Sequence, residues 1–227
     1  ANTVLNVDAA NGLFANDSDL DGGTLSGINI LSTGTRGNVT PGAAGDGAFT
    51  YTPLSGFAGI DGFAYQTIDN DNNLTAITPV TIVIQQSPTA NDDTNAAYTV
   101  DLGNTLTINP GATDILQNTT PDGADELGFP LATISGFGPG PAPGNCNTTT
   151  PGNPGATSLD ANAITLNADG SFSFTPITAG THTFCYTLTN AAGSDTATVT
   201  LTTTAPTAVD DTCLLYTSDA ADELLGV

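Results

Sequence analysis

Short alternating runs of apolar and polar residues dominate the chain. Phe49 and Tyr51 alternate with Thr50 and Thr52, and Phe172 and Phe174 with Ser173 and Thr175. Side chains two apart on a strand share a face, so each pair predicts a strand with its aromatics on one side. Both runs follow an Asp-Gly turn signal, Asp46-Gly47 and Asp169-Gly170, and both end at a proline, Pro53 and Pro176. Phe63, Tyr65 and Thr67 alternate with Ala64, Gln66 and Ile68. Val80, Ile82 and Ile84 predict a later strand, matched by Val199 and Leu201. Earlier strands are expected around Val4–Val7, Leu25–Ile30, Tyr98–Val100 and Leu106–Ile108. No segment sustains the 3.6-residue period of a helix.

These runs recur. Pro88-Thr-Ala-Asn-Asp-Asp-Thr94 returns as Pro206-Thr-Ala-Val-Asp-Asp-Thr212. Asp46-Gly-Ala-Phe-Thr-Tyr-Thr-Pro53 returns as Asp169-Gly-Ser-Phe-Ser-Phe-Thr-Pro176, and Phe63-Ala-Tyr65 as Phe184-Cys-Tyr186. The offsets drift by a few residues, as loop insertions between equivalent strands would make them. The expected organisation is a first repeat over 1–86 and a second over 87–205 with a long loop insertion at 136–158. A third repeat begins at 206–212. About seven short strands per repeat, separated by Gly, Asn and Asp turns, predict an all-β chain of β-sandwiches.

Composition narrows the function classes. The chain carries one basic side chain, Arg36, against 23 acids, for a formal charge of −22. Such a surface repels nucleic-acid phosphates, so no nucleic-acid partner is expected. Nor is membrane insertion, because no apolar run approaches the ~20 residues that span a bilayer. The 38% hydrophobic content is enough for thin β cores and argues against a wholly disordered acidic polymer. Residues 213–223, Cys-Leu-Leu-Tyr-Thr-Ser-Asp-Ala-Ala-Asp-Glu, resemble the translation of a sequencing adapter. We therefore expect 213–227 to be a non-native tail, with Cys213 outside the fold. The first residue is not Met, which suggests a fragment of a longer protein.

The first repeat reads Leu13-Phe-Ala-Asn-Asp-Ser-Asp-Leu-Asp-Gly22, then Asp46-Gly, Phe49-Thr-Tyr-Thr-Pro53 and Gly59-Ile-Asp-Gly-Phe-Ala-Tyr65. This sequence resembles the bacterial cadherin-like or Ig-like tandem repeat of large secreted adhesins. The resemblance implies tandem Ig/cadherin-like Greek-key β-sandwich domains and an extracellular or bacterial cell-surface location. It also implies calcium at acidic loops near domain ends. Expected partners are the neighbouring repeats of the same chain and cell-surface or matrix ligands. The second repeat keeps the junction and the later strands but departs from the pattern in its first half.

Asp17, Asp19 and Asp21 are the best candidate calcium ligands, three carboxylates at alternate positions before Gly22. Ca²⁺ takes six to eight hard oxygens, which such a loop can partly supply. It is not an EF-hand, since Ile28 stands where a bidentate Glu belongs. Asp69 and Asp71 after the Phe63–Tyr65 strand, and Asp92 and Asp93 at the junction, are further metal candidates. Each set also suits a plain solvated turn. Asp114, Asn118, Asp122 and Asp125 occupy the matching region of the second repeat with broken spacing, and there a turn is the preferred reading.

Cys146 and Cys185 are a candidate disulfide, both in the second repeat of a chain expected to be exported. Cys185 alternates with Phe184 and Tyr186. It therefore faces away from an aromatic core, where it can tether the long loop, the alternative being two free thiols. His182 lies on the face opposite Cys185, which is poor geometry for a nucleophilic pair. A partly buried strand position is expected for it. No catalytic set assembles and no Trp is present to stack a sugar, so the chain is not expected to be an enzyme. The other reading kept open is an accessory module of a secreted enzyme, recognising carbohydrate or another ligand through 136–158.

Overall fold

The computed structural model describes residues 3–19, 23–42, 45–121 and 123–207. Asp21, Asp122 and the tail at 213–227 lie outside the described residues. The expected strands form, together with four that the alternation did not predict, at 38–41, 133–139, 154–155 and 164–166. In the first half these are β1 (Leu5–Val7), β2 (Leu25–Leu31), β3 (Asn38–Pro41), β4 (Phe49–Thr52), β5 (Gly59–Asp69) and β6 (Thr78–Ile84). In the second half they are β7 (Asp93–Asp101), β8 (Leu106–Ile108), β9 (Thr133–Pro139) and β10 (Pro154–Gly155). Then come β11 (Ile164–Leu166), β12 (Phe172–Phe174), β13 (Gly180–Asn190) and β14 (Gly193–Thr204). One turn of 3-10 helix, Ala9–Asn11, is capped by Asp8, whose side chain accepts from the Asn11 N–H.

The strands build two sandwiches in tandem. The first packs sheet β1-β4-β3 against sheet β2-β5-β6, and the second packs β10-β11-β12-β8 against β7-β14-β13-β9. Neighbours are antiparallel throughout except β7, which runs parallel to β14. Each sandwich encloses its own apolar cluster. Leu13, Phe49, Tyr51, Phe63, Tyr65, Ile82 and Ile84 fill the first. The second is larger, with Tyr98, Phe137, Phe172, Phe174, Phe184, Tyr186 and the aliphatics around them. Among the described residues no buried side chain belongs to both clusters.

The alternation sets these cores. On β5 the buried positions are Gly59, Asp61, Phe63, Tyr65 and Thr67, every second residue. Phe49 meets Phe63 edge-on at 5.3 Å, and Phe172 meets Phe184 at 6.0 Å in the same way. The Asp-Gly turns that launch β4 and β12 are equivalent. Gly47 (φ +86°) and Gly170 (φ +85°) take the left-handed conformation that glycine alone adopts freely. Leu13 N–H donates to Gly47 O, and Ile115 N–H to Gly170 O.

Between the sandwiches run Gln85, Gln86 and Ser87. Gln86 bridges to Phe129 by backbone hydrogen bonds in both directions, and Asn190 Nδ2 donates to the Gln86 carbonyl at 2.8 Å. The linker is thus held down on the second sandwich.

Candidate functional site

In the first sandwich, Asp17 and Asp19 follow the buried Leu13 on a loop beneath β5. Tyr65 on β5 donates to Asp17 Oδ2 at 2.9 Å and to the Leu13 carbonyl at 3.2 Å. Burial, then Asp17, pushes the Tyr65 phenol up to about 12. Asp19 lies across a hollow from Asp69, with Ser18 and Asn73 also on its wall. A Cβ on Gly23 would stand 2.4 Å from Asp19 Oδ2 and 2.1 Å from Asn70 Oδ1, so glycine lets these two oxygens gather. Asp69 caps its own turn. Its Oδ1 accepts the N–H groups of Asp71 and Asn73, and its Oδ2 accepts from Asn73 Nδ2. These bonds hold the Asp69 carboxyl below its ordinary range.

The donors here are hard oxygens, the type Ca²⁺ takes. Asp19, Asp69, Ser18 and Asn70 fit in kind. In number they do not complete a shell, because among the described residues no three Asp, Glu, His or Cys stand together as a metal group. Water and main-chain carbonyls would have to supply the remainder.

The junction acids of the second sandwich are arranged differently. Asp92 is exposed and its Oδ1 accepts from Thr198 N–H. Asp93, only 1% exposed, turns inward. The Tyr186 hydroxyl stands 3.1 Å from Asp93 Oδ2 and 2.7 Å from Asp125 Oδ2, with the carbonyls of Asn91 and Ile115 each at 3.4 Å. One phenolic proton cannot serve four acceptors. Burial, then the charge of Asp125, pushes Asp93 up to about 9, so its carboxyl keeps a proton at neutral pH. Burial also raises Asp125, to about 6. The result is a proton-sharing hub of Asp93, Tyr186 and Asp125. Asn118 braces it, reaching the Thr94 and Thr120 carbonyls through Nδ2.

Asp114 and Asn118 are fully buried rather than lying in a solvated turn. Asp114 accepts from the N–H groups of Gly111, Leu116 and Gln117, which fixes the loop into the core. The reason is the N–H groups that the tight turn at 111–118 leaves unpaired, which a carboxylate can satisfy.

Two buried acids escape the sequence reading. Asp61 shares the core face of β5 with Phe63. It accepts the Tyr51 hydroxyl and the N–H groups of Arg36 and Gly37. Burial alone would raise its pKa, but these donors outweigh burial and lower it, while Tyr51 rises to about 12. The signal was present in the period, as an acid two residues before a core aromatic. Asp160 accepts from the N–H groups of Ile177 and Thr178 and from the Thr178 hydroxyl. His182 lies 3.7 Å from it, fully buried rather than partly so, edge-on to Phe174 at 4.9 Å.

Cys146 and Cys185 are joined, with Cα atoms 5.0 Å apart. Cys185 does face away from Phe184 and Tyr186, yet it is fully buried. Residues 140–153 fold back over that outer face, where Ala142 N–H reaches Thr198 Oγ1 and Thr149 pairs with Phe137. The long loop is thus a strap pinned to the sheet. The guanidinium of Arg36 stacks on Phe57 at 4.9 Å.

Comparison with known proteins follows the same lines. Residues 1–83 match the family model of the bacterial Ig domain, which covers the first sandwich almost end to end. No curated protein matches significantly. Among solved structures, extracellular domains 3–5 of Drosophila OTK match at 11% identity and a TM-score of 0.39, over 78% of this chain and 51% of that one. The chain thus spans about half the length of that relative. The D00-D0 domain of intimin matches at 12% identity and a TM-score of 0.36, over 78% of this chain and 85% of that one. Drosophila N-cadherin EC1-3 matches at 12% identity and a TM-score of 0.29, over 79% and 56%.

Proposed function

We propose that the chain is a stretch of an exported bacterial repeat array that spaces or adheres at the cell surface, with calcium stiffening its acidic loops. The observation that carries this reading is the tandem arrangement itself: two Ig-type sandwiches, separately cored, joined by a short linker anchored to the second. The bacterial Ig match over 1–83 supports it. The Cys146–Cys185 bridge supports an oxidising, extracytoplasmic setting. The charge of −22 suits a surface that stays soluble and recruits divalent cations.

We place calcium in the first sandwich, where Asp19 and Asp69 border one hollow and Asn70 Oδ1 gathers beside Asp19 at Gly23. Clustered carboxylates there repel one another by about 1 kcal/mol per pair at 4 Å in water, and a divalent cation reverses that sign. In the second sandwich the Tyr186 hydroxyl, against Asp93 and Asp125, holds the equivalent loop. A calcium titration followed by thermal melting tests the assignment. Millimolar calcium should raise the melting temperature of the first sandwich by several degrees, and Asp19→Asn should remove most of that rise. An unchanged melting temperature would rule calcium out while leaving the repeat architecture intact.

A further inference from the structure

The two sandwiches differ in what lies over one outer sheet face. Register makes the two faces equivalent. Phe63 lies opposite Val80 as Phe184 lies opposite Val199, so Ala64 corresponds to Cys185 and Pro79 to Thr198. Leu31, opposite Ala64, corresponds to Gly138, opposite Cys185. In the second sandwich the strap lies on this face. Gly140 N–H donates to the Thr183 carbonyl, Ala142 N–H to Thr198 Oγ1, and Cys146 is bonded to Cys185. There β7 is already paired beside β14, so the strap is a cover distinct from any edge strand.

The first sandwich carries no such strap. Residues 32–37 join β2 to β3 and are held against β5. Thr35 Oγ1 donates to the Gly62 carbonyl at 2.8 Å, and the N–H groups of Arg36 and Gly37 donate to Asp61. What remains is an open groove of about 540 Å³ between Leu31, Ile60, Ala64, Pro79 and Thr81, with Arg36 at its border. Ile60 stands 65% exposed on a strand whose other face is core. Arg36 is the one basic side chain against 23 acids. Yet among the described residues no carboxylate pairs with its guanidinium, which stacks on Phe57. A stacked guanidinium keeps its edge N–H groups for a planar acceptor, and a carboxylate meets them with two parallel bonds. An apolar groove bordered by the single unpaired cation is complementary to an acid followed by apolar residues.

We propose that this groove docks an extended peptide segment of a partner protein. One acid of the segment pairs with Arg36, and apolar or proline residues after it lie along Ile60, Ala64 and Pro79. The strap shows the kind of chain such a face accepts, since Gly140-Pro-Ala-Pro-Gly144 lies over the equivalent face. Extended proline-rich segments dock in apolar grooves at low entropic cost. A peptide fits better than an acidic saccharide, because Arg36 already covers the Phe57 ring and no Trp is present to stack a sugar. The charge of −22 selects against a segment with many acids. The site is separate from the acidic hollow at Asp19 and Asp69 and stands whether or not that hollow takes calcium.

The test pans a display library of random ten-residue peptides on the full chain, in calcium and in chelator, with the same enrichment expected in both. Selected peptides should share one acid followed closely by proline or aliphatic residues. Synthetic copies should bind Arg36→Gln and Ile60→Asp at least about fivefold more weakly than the parent chain. Arg36→Lys should recover only part of the affinity, because an ammonium lacks the planar fork. Both side chains are exposed, and thermal melting should show each variant folded. The proposal is overturned if no peptide is enriched over an Arg36→Gln, Ile60→Asp double variant, or if the selected peptides bind both single variants unchanged. It is also overturned if an oligogalacturonate, as an acidic saccharide, binds the full chain through Arg36 where the peptides do not. Self-association of the full chain that Arg36→Gln abolishes, read by sedimentation, would overturn it as well, by making a second copy the occupant.

Discussion

Three tyrosine hydroxyls organise the acids at the residue scale, the first being Tyr51 on Asp61. Tyr65 gathers Asp17, and Tyr186 gathers Asp93 and Asp125. Tyr186→Phe leaves two buried carboxyl groups facing an apolar ring, so it should destabilise the second sandwich by about 1–3 kcal/mol in urea unfolding. Tyr65→Phe should cost less, because the Asp17 loop is nearer solvent. Protonation adds a second prediction. Asp93 titrates near 9 and Asp125 near 6 when folded, both above the ordinary carboxyl value of 3.8. The folded state therefore holds their protons more tightly than the unfolded chain. The stability this provides is complete below about pH 4 and is lost as pH rises toward 9. Asp61 has the opposite sign. Its depressed pKa contributes stability above the unfolded value, lost as pH falls through the folded one. Urea midpoints between pH 5 and 9 should fall for the second sandwich alone, and Asp93→Asn should flatten that slope. In the sequence Asp93 read as a junction ligand beside Asp92. Adjacent residues on an extended segment face opposite ways, and that alone separates the buried Asp93 from the exposed Asp92.

At the scale of the element, alternation made β4, β5, β12 and β13 legible, because their aromatics mark one face. β9 was not, since Gly136 and Gly138 interrupt its pattern. Their reason lies in the strap. A Cβ at Gly138 would stand 1.7 Å from the Asn145 carbonyl oxygen, so the strand needs glycine for the strap to lie on it. Gly138→Ala should lift the strap and lower stability by about 2 kcal/mol or more, read as faster hydrogen exchange over 140–150. The strap also has a mechanical signature. The bridge closes a separation of 39 residues, which cannot extend while it is oxidised. Reduction should lengthen the unfolding step of the second sandwich by about 130 Å in single-molecule extension, at ~3.4 Å per residue. No sequence signal announced that 136–139 would continue β9, nor that 140–153 would cover that sheet. Only the outward face of Cys185 pointed there.

For the whole molecule, three recurring motifs made the tandem organisation visible before any strand was placed. What they concealed was the asymmetry between the copies. The second repeat buries an acid hub on Tyr186, while the first gathers an acidic hollow at Asp19 and Asp69. The physical reason is that the motifs mark strands and turns, whereas hub and hollow arise from side chains far apart in sequence. The central claim is an array of separately cored sandwiches, one of them tuned by calcium. Pulling the chain by its ends, in millimolar calcium and then in chelator, tests it most directly. The account predicts two unfolding steps, one per sandwich, with calcium raising the force of the first sandwich's step only. A single cooperative step, or two steps whose forces ignore calcium, would contradict it.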